Sequence, residues 1–416
     1  MYVENDKFTI ENYNNSKPFS SFFPSIAGLW GKPIWVFYVN RSQCISSLGT
    51  KDKNGAILEF VAANKAYRLT SLQGFRTFIK VNGEFYEPFQ NHINFLKDNK
   101  IIQKMFITSH TLTITETNKI YNLEFSVEYF TIPNENVASF ARILTIKNLS
   151  GEAKKLEVID GLPIIIPYGI NDLMLKNISR LAEGWYSGVI YVGKNKIPVY
   201  KLEVEPEDRP EIIPVEAGNF YFGFYYKNNQ YIGSPEIIVD PDVIFGPYKD
   251  YMYHYEFINN QEFVNDESLI SKNKTPCGMG YFKNEIGKEE KISYFSIVGN
   301  VQKLFMLEDF ISKITSAEYF EKKKKENKEI IDSLCEKINT NSNSQEFDNY
   351  CRQTFLDNFL RGGYPITVGN KNKKTYYVYS RVHGDMEREY NNFVIMPEYF
   401  SQGNGHYQRC LPEQKK

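Results

Sequence analysis

The densest concentration of chemically capable side chains lies near the end of the chain. Residues 381–392 read RVHGDMEREYNN and residues 397–405 read PEYFSQGNG. Guanidinium groups, carboxylates, an imidazole and side-chain amides alternate there with aromatic rings, offering many paired donors and acceptors. Such an inventory suits a polyhydroxyl ligand, whose neighbouring hydroxyls are best met by bidentate groups. A hydrogen-bonded loop closing a helical domain would use the same residue types. The expected substrate-binding residues in these runs are Arg381, His383, Asp385, Arg388, Asn391, Gln402 and Asn404. Asp385, Glu387 and Glu389 could each supply a general acid, yet such a run equally serves ion pairs with Arg381 and Arg388. None is assigned a catalytic role. His383 and Asp385 stand two apart with no third ligand in view, so no metal site is expected. The chain carries no glycine-rich phosphate loop of the P-loop or dinucleotide type.

Two kinds of element must position this segment. From about Trp35 to Val298 the signals are those of strands. Tyr121, Leu123, Phe125, Val127 and Tyr129 alternate with Asn122, Glu124, Ser126 and Glu128, a period of two with one dry and one wet face. Residues 111–116, 138–147, 156–159, 220–226 and 292–298 are further strands, and turn formers such as Asn82-Gly83 and Ser150-Gly151 separate them. Many short strands at regular spacing predict a large antiparallel two-sheet sandwich, with a short helix near residues 171–181. After Gly299 the period changes. Leu304, Leu307, Ile311 and Ile314, then Ile331, Leu334, Cys335 and Ile338, then Phe347, Tyr350, Cys351 and Phe355 recur at helical spacing. The lysine run 322–325, flanked by Glu321 and Glu326, reads as a solvated helix face. Residues 339–344 form a polar linker, and Arg361-Gly362-Gly363-Tyr364-Pro365 ends the last helix, where glycine permits a left-handed cap and proline forbids continuation.

Composition bounds the function classes. The net charge is -1 across 416 residues, which argues against nucleic acid as a partner. No run approaches the roughly 18 apolar residues of a membrane span, and the first residues lack a signal-peptide pattern. No membrane partner and a cytoplasmic location are therefore expected. The five cysteines are scattered, with no CxxC pair to suggest a disulfide framework or zinc. The 30 tyrosines and 31 phenylalanines suit a β-rich core. They also suit sugar stacking, where a flat ring meets a pyranose face.

Several segments together resemble the cellobiose phosphorylase group, glycoside hydrolase family 94 and its relatives acting on β-linked glucooligosaccharides. They are Asn40-Arg41, Gly74-Phe75-Arg76-Thr77-Phe78, Asp160-Gly161-Leu162-Pro163 with Pro167-Tyr168-Gly169, Arg361-Gly362-Gly363-Tyr364-Pro365, and above all the runs HGDMEREYNN and PEYFSQGNG. The resemblance implies a galactose-mutarotase-like β-supersandwich over 1–300, a helical linker over 301–343, and the start of an (α/α)6 catalytic barrel over 344–416. It implies inverting phosphorolysis, in which a carboxylic acid protonates the glycosidic oxygen and inorganic phosphate, the co-substrate, attacks C1 from the opposite face. The resemblance also adds Arg361 to the expected substrate-binding residues. No cofactor is implied. Relatives are often dimers through the sandwich, so the resemblance allows a homodimer here.

The resemblance breaks at residues 406–416. After Gly-Asn-Gly the family continues with an Arg-Asp-x-x-Gln substrate motif, whereas this chain reads HYQRCLPEQKK and ends. Suitable codons with one base removed after Tyr407 would restore that motif, so the tail is expected to be a frameshift product. The general acid would then lie in the missing frame, and the chain alone is expected to be inactive. Two alternatives stay open: a non-catalytic carbohydrate-binding or assembly module, and a fragment of an (α/α)6 hydrolase that uses water in place of phosphate.

Overall fold

The computed structural model describes residues 2–360, apart from short segments at 5–6, 24–25, 29–30, 92–97, 207–209, 249, 261–265 and 337–339. Beyond residue 360 it describes only the backbone of four short strands. The chain is mainly β. Eleven antiparallel strands form the large sheet, whose centre runs Leu112–Asn118, Leu123–Thr131, Ala138–Asn148, Lys291–Val301, Gly218–Lys227. The alternation read from the sequence is the reason for this order. Ile114, Phe125 and Val127 turn inward while Thr113, Glu124 and Ser126 stay partly wet, so a slip of one residue would expose the apolar set. Strands Ala138–Asn148 and Lys291–Val301 are buried along most of their length, as expected at the middle of a sheet covered on both faces.

A five-stranded sheet packs against the large one, in the order Glu236–Ile238, Gly278–Ile286, Lys154–Leu162, Arg76–Val81, Glu84–Tyr86. A further sheet, Ser20–Phe23, Trp35–Val39, Ile45–Gly49 and Ala56–Leu58, carries the helix Ala63–Gln73. Aromatic rings cover both faces of the large sheet. On the face toward the smaller sheet Tyr129 stacks on Phe140 at 5.6 Å, and on the opposite face Phe224 stacks on Phe295 at 5.2 Å. Polar hands cross the seam between the two sheets. The Arg142 guanidinium, from the large sheet, donates to Asp160 on the smaller sheet and to Gln43 Oε1 at 2.5 Å, and all three are buried. Thr77 donates to the same carboxylate at 2.6 Å, and Tyr221 donates to the Asp160 carbonyl at 2.9 Å.

Two helices then run along the sandwich. Phe305–Ile314 buries Leu307, Phe310, Ile311 and Ile314 at its apolar stripe. Ala317–Cys335 starts at Ser316, whose hydroxyl accepts from Tyr319 N, and inserts Phe320 among Phe130, Phe224 and Phe295. The lysine run corrects the sequence expectation of a solvated face. Lys323 is buried, donates to the Pro133 carbonyl at 2.9 Å and pairs with Glu135 at 2.9 Å. Lys324 pairs with Glu128 at 2.9 Å. Only the opposite flank, with Lys322 and Lys325, faces solvent. Half the run therefore anchors the helix to the sheet, because four consecutive helical positions span more than one face.

The helix Gln345–Leu360 falls in the segment expected to open a barrel. Leu356 joins Ile331, Leu334 and Cys335 of the long helix in a small core, while Phe347 and Tyr350 of the same apolar stripe stay 53% and 67% exposed. Past this helix the described backbone consists of strands Pro365–Gly369, Thr375–Tyr379, Phe393–Ile395 and Tyr399–Gln402.

Candidate functional site

The site residues expected from the sequence fall almost wholly outside the described residues. Arg361, Arg381, His383, Asp385, Arg388, Asn391 and Asn404 lie there, and Gln402 is described only as the last backbone position of strand Tyr399–Gln402. The described part of the chain contributes a different feature, a cleft of about 930 Å³ where the N-terminal edge of the sandwich faces the end of the long helix and the start of the next.

Four pieces of chain build this cleft. Strand residues supply Phe8, Phe19, Ser21 and Tyr38. The turn between strands Ile101–Ile107 and Leu112–Asn118 supplies Thr108, Ser109 and His110. The long helix supplies Lys328, Asp332, Cys335 and Glu336, spaced to share one helix face. The following helix supplies Glu346, Asp348, Asn349, Tyr350, Arg352, Gln353 and Leu356. The turn is fixed by its own threonines, since Thr108 Oγ1 accepts from Thr111 N at 2.9 Å and bonds Thr111 Oγ1 at 2.8 Å. Within the long helix Asp332 accepts from Lys328 at 2.5 Å, and across the helix–helix seam it accepts from Arg352.

The electrostatics limit the chemistry. Burial alone would raise the Asp332 carboxyl, but the Lys328 ammonium and Arg352 guanidinium outweigh it and hold the group below its ordinary value. Asp332 is thus an anion at neutral pH and no proton donor. Burial, aided by the nearby Lys328, lowers the His110 imidazole to about 4, so it is neutral and can only accept or donate through its ring nitrogens. Burial pushes the Cys335 thiol up, which removes it as a nucleophile. Four carboxylates line the cleft against two cations, an excess that repels phosphate. Neutral hydroxyl-rich ligands meet no such barrier, and Tyr350 and Phe8 offer them ring surface.

A second polar cluster sits under the five-stranded sheet. Arg76 donates to both oxygens of Glu87, at 2.8 and 2.9 Å, and to the Tyr251 carbonyl at 2.6 Å. Its other amine lies 2.7 Å from His254 Nε2. Every side chain here is nearly closed to solvent, so the cluster fixes the segment around Tyr251 and offers no reacting atom. The sequence marked Arg76 and Asp160 through the family-like segments alone. Their partners Glu87, His254 and Arg142 carry no local signal, because each comes from a distant strand or loop.

Among the described residues, no group of three or more His, Cys, Asp or Glu side chains is placed to hold a metal ion, and no helix is long and apolar enough to cross a membrane. No known protein-family profile matches the chain, and no curated protein matches it. Among solved structures, a bacterial glucoamylase complexed with acarbose aligns over 79% of this chain and 40% of its own, with 10% identity and a TM-score of 0.37. The chain thus spans less than half of that protein, and a likeness this slight carries no functional inference.

Proposed function

We propose that this chain is the N-terminal portion of a carbohydrate-active enzyme that cleaves β-linked glucooligosaccharides by inverting phosphorolysis, releasing a sugar 1-phosphate. The observation that carries the proposal is the pair of runs HGDMEREYNN and PEYFSQGNG, following a sandwich and a helical linker in the order that the phosphorylase-like family implies. The docking of the long helix supports it. Phe320, Lys323 and Asn327 hold that helix against the face of the large sheet and the loop after strand Leu123–Thr131, as a helical linker following a sandwich would be held. In the proposed reaction a carboxylic acid outside the described residues protonates the leaving oxygen. Phosphate then attacks the anomeric carbon from the opposite face. The described cleft, with its carboxylate excess, serves sugar rather than phosphate.

The test is a product assay. The chain, and a longer product in which the reading frame continues into an Arg-Asp-x-x-Gln motif, are each incubated with cellobiose or laminaribiose, with and without inorganic phosphate. Inversion at a β-linkage should yield the α-anomer of glucose 1-phosphate from the longer product only, and only with phosphate. Free glucose released without phosphate would replace phosphorolysis by hydrolysis. Turnover by the 416-residue chain, or a locus with no such frame, would refute the proposal.

A further inference from the structure

The surface segment around Tyr251 displays three tyrosines that the core does not need. Tyr248, Tyr253 and Tyr255 are 43%, 42% and 41% exposed, and their rings gather at centroid distances of 5.2, 6.0 and 6.2 Å. The residues between them do the anchoring. Tyr251 lays its ring edge-on against Phe245 at 5.2 Å, its carbonyl accepts from the buried Arg76 at 2.6 Å, and His254 packs on Phe78 at 4.0 Å. Tyr251 also holds a left-handed backbone, φ 61°, an uncommon conformation for an aromatic residue. Asp250 accepts from Met252 N at 3.0 Å and closes the turn. A left-handed turn at Tyr251, held by the buried Arg76 and followed by the buried His254, thus presents Tyr253 and Tyr255 beside Tyr248.

We propose that Tyr248, Tyr253 and Tyr255 form a sugar-docking surface, which holds a neutral β-linked glucose chain apart from any site of cleavage. The sugar class rests on the function proposed above. The ring planes stand 81°, 56° and 40° apart, so a pyranose stacked on one face meets the edges and hydroxyls of the others. Asp250, Asn259 and Asn260 are exposed; Asp250 accepts from Met252 N, and the amides of Asn259 and Asn260 donate to the Tyr255 carbonyl and to Glu256, which leaves each an oxygen able to accept from a sugar hydroxyl. Met252, 64% exposed, lies in the same segment and adds apolar surface beside the rings.

Affinity electrophoresis of the whole chain tests this, in native gels containing soluble β-glucan, with dextran gels as control. The wild type should be retarded by β-glucan and not by dextran. Tyr253→Ala/Tyr255→Ala should weaken retardation at least tenfold with an unchanged melting temperature, since both side chains are exposed. Absence of wild-type retardation, or its persistence in the double variant, overturns the proposal. So does a wild-type dimer, seen by light scattering, that the double variant dissolves without any loss of glucan binding. A chain that docks on β-glucan while the phosphorolysis assay fails would sink the proposed reaction and leave this surface standing.

Discussion

The Lys323 ammonium lies 2.9 Å from the Glu135 carboxylate inside the seam between the long helix and the sandwich, with both side chains largely closed to solvent. It also donates to the Pro133 carbonyl, so the loop after strand Leu123–Thr131 is tied to the helix through one side chain. Its methylenes cover apolar surface while its charge is fully partnered.

Removing that group should therefore loosen the helix from the sandwich. Lys323→Met leaves Glu135 and the Pro133 carbonyl short of a buried donor, at a cost of about 2–4 kcal/mol. Lys325→Ala, three-quarters exposed on the far flank, should change stability by less than about 0.5 kcal/mol. Urea denaturation of both variants separates the two faces of the run. Equal effects would mean that the run is a solvated face after all.

Much of the sandwich was legible because its strands keep one wet face. The alternation from Tyr121 to Tyr129 located strand Leu123–Thr131 within two residues, and Asn82-Gly83 located a hairpin turn, φ 52° and 92°. Strands Tyr2–Glu4 and Lys7–Glu11 were missed because they lie at the sheet edge, where few residues need to be apolar. Helix Ala63–Gln73 was missed because it buries only Ala66 and Thr70 and has no side-chain cap. The cleft was illegible for another reason. Asp332 and Arg352 meet across a helix–helix turn, and His110 reaches them from a strand turn some 220 residues earlier. No local period encodes such a meeting. The expected sugar-binding segment 381–405 lies largely outside the described residues, so its chemistry rests on the sequence alone.

Asp160 and Arg142 invite a double-mutant cycle. Both are fully buried, and they join the two sheets. Burial pushes the Asp160 carboxyl up, and the Arg142 charge opposes that shift. Asp160→Asn keeps the shape but leaves a guanidinium without a counter-charge, which should cost about 3–5 kcal/mol. Arg142→Met combined with Asp160→Asn should cost less than the sum of the single changes, because the orphaned charge is then gone. Denaturant midpoints give the cycle, and strict additivity would show that the two side chains do not act as a pair.

Acid should destabilise the protein through His254. Burial lowers its imidazole from 6.5 to about 4, Glu87 pulling the other way and the Arg76 charge adding to the fall. Above pH 6.5 neither folded nor unfolded chain protonates this group, and stability is unaffected. Between 6.5 and about 4 the unfolded chain binds the proton and the folded one does not. Stability therefore falls with pH across that window, by about 3 kcal/mol in all. His110, lowered likewise but more exposed, adds a smaller loss in the same window. Glu87 acts lower down. Burial would raise it, but Arg76 holds it below its ordinary value, so its contribution is lost only as pH falls through that lowered value. His254→Gln should flatten the stability profile between pH 6.5 and 4, and an unchanged slope would show that His254 is not the group responsible.

Gly161 sets the tightest backbone approach of the smaller sheet. It adopts φ 149°, and a Cβ there would lie 2.1 Å from the Gly278 carbonyl oxygen on the neighbouring strand. That atom belongs to paired backbone, in register with Leu162, and cannot swing aside. Gly161→Ala must therefore break the pairing of strands Lys154–Leu162 and Gly278–Ile286, beside the Asp160 that Arg142 and Thr77 hold. A loss of at least about 3 kcal/mol, or failure to accumulate as soluble protein, is expected. Gly83 provides the contrast, with φ 92° but open space around its Cβ position. Gly83→Ala should cost only the strain of its positive φ, about 1–2 kcal/mol. Thermal melts of the two variants compare contact with conformation directly. If Gly161→Ala melted no lower than Gly83→Ala, the close approach of the two strands would not be a constraint on the fold.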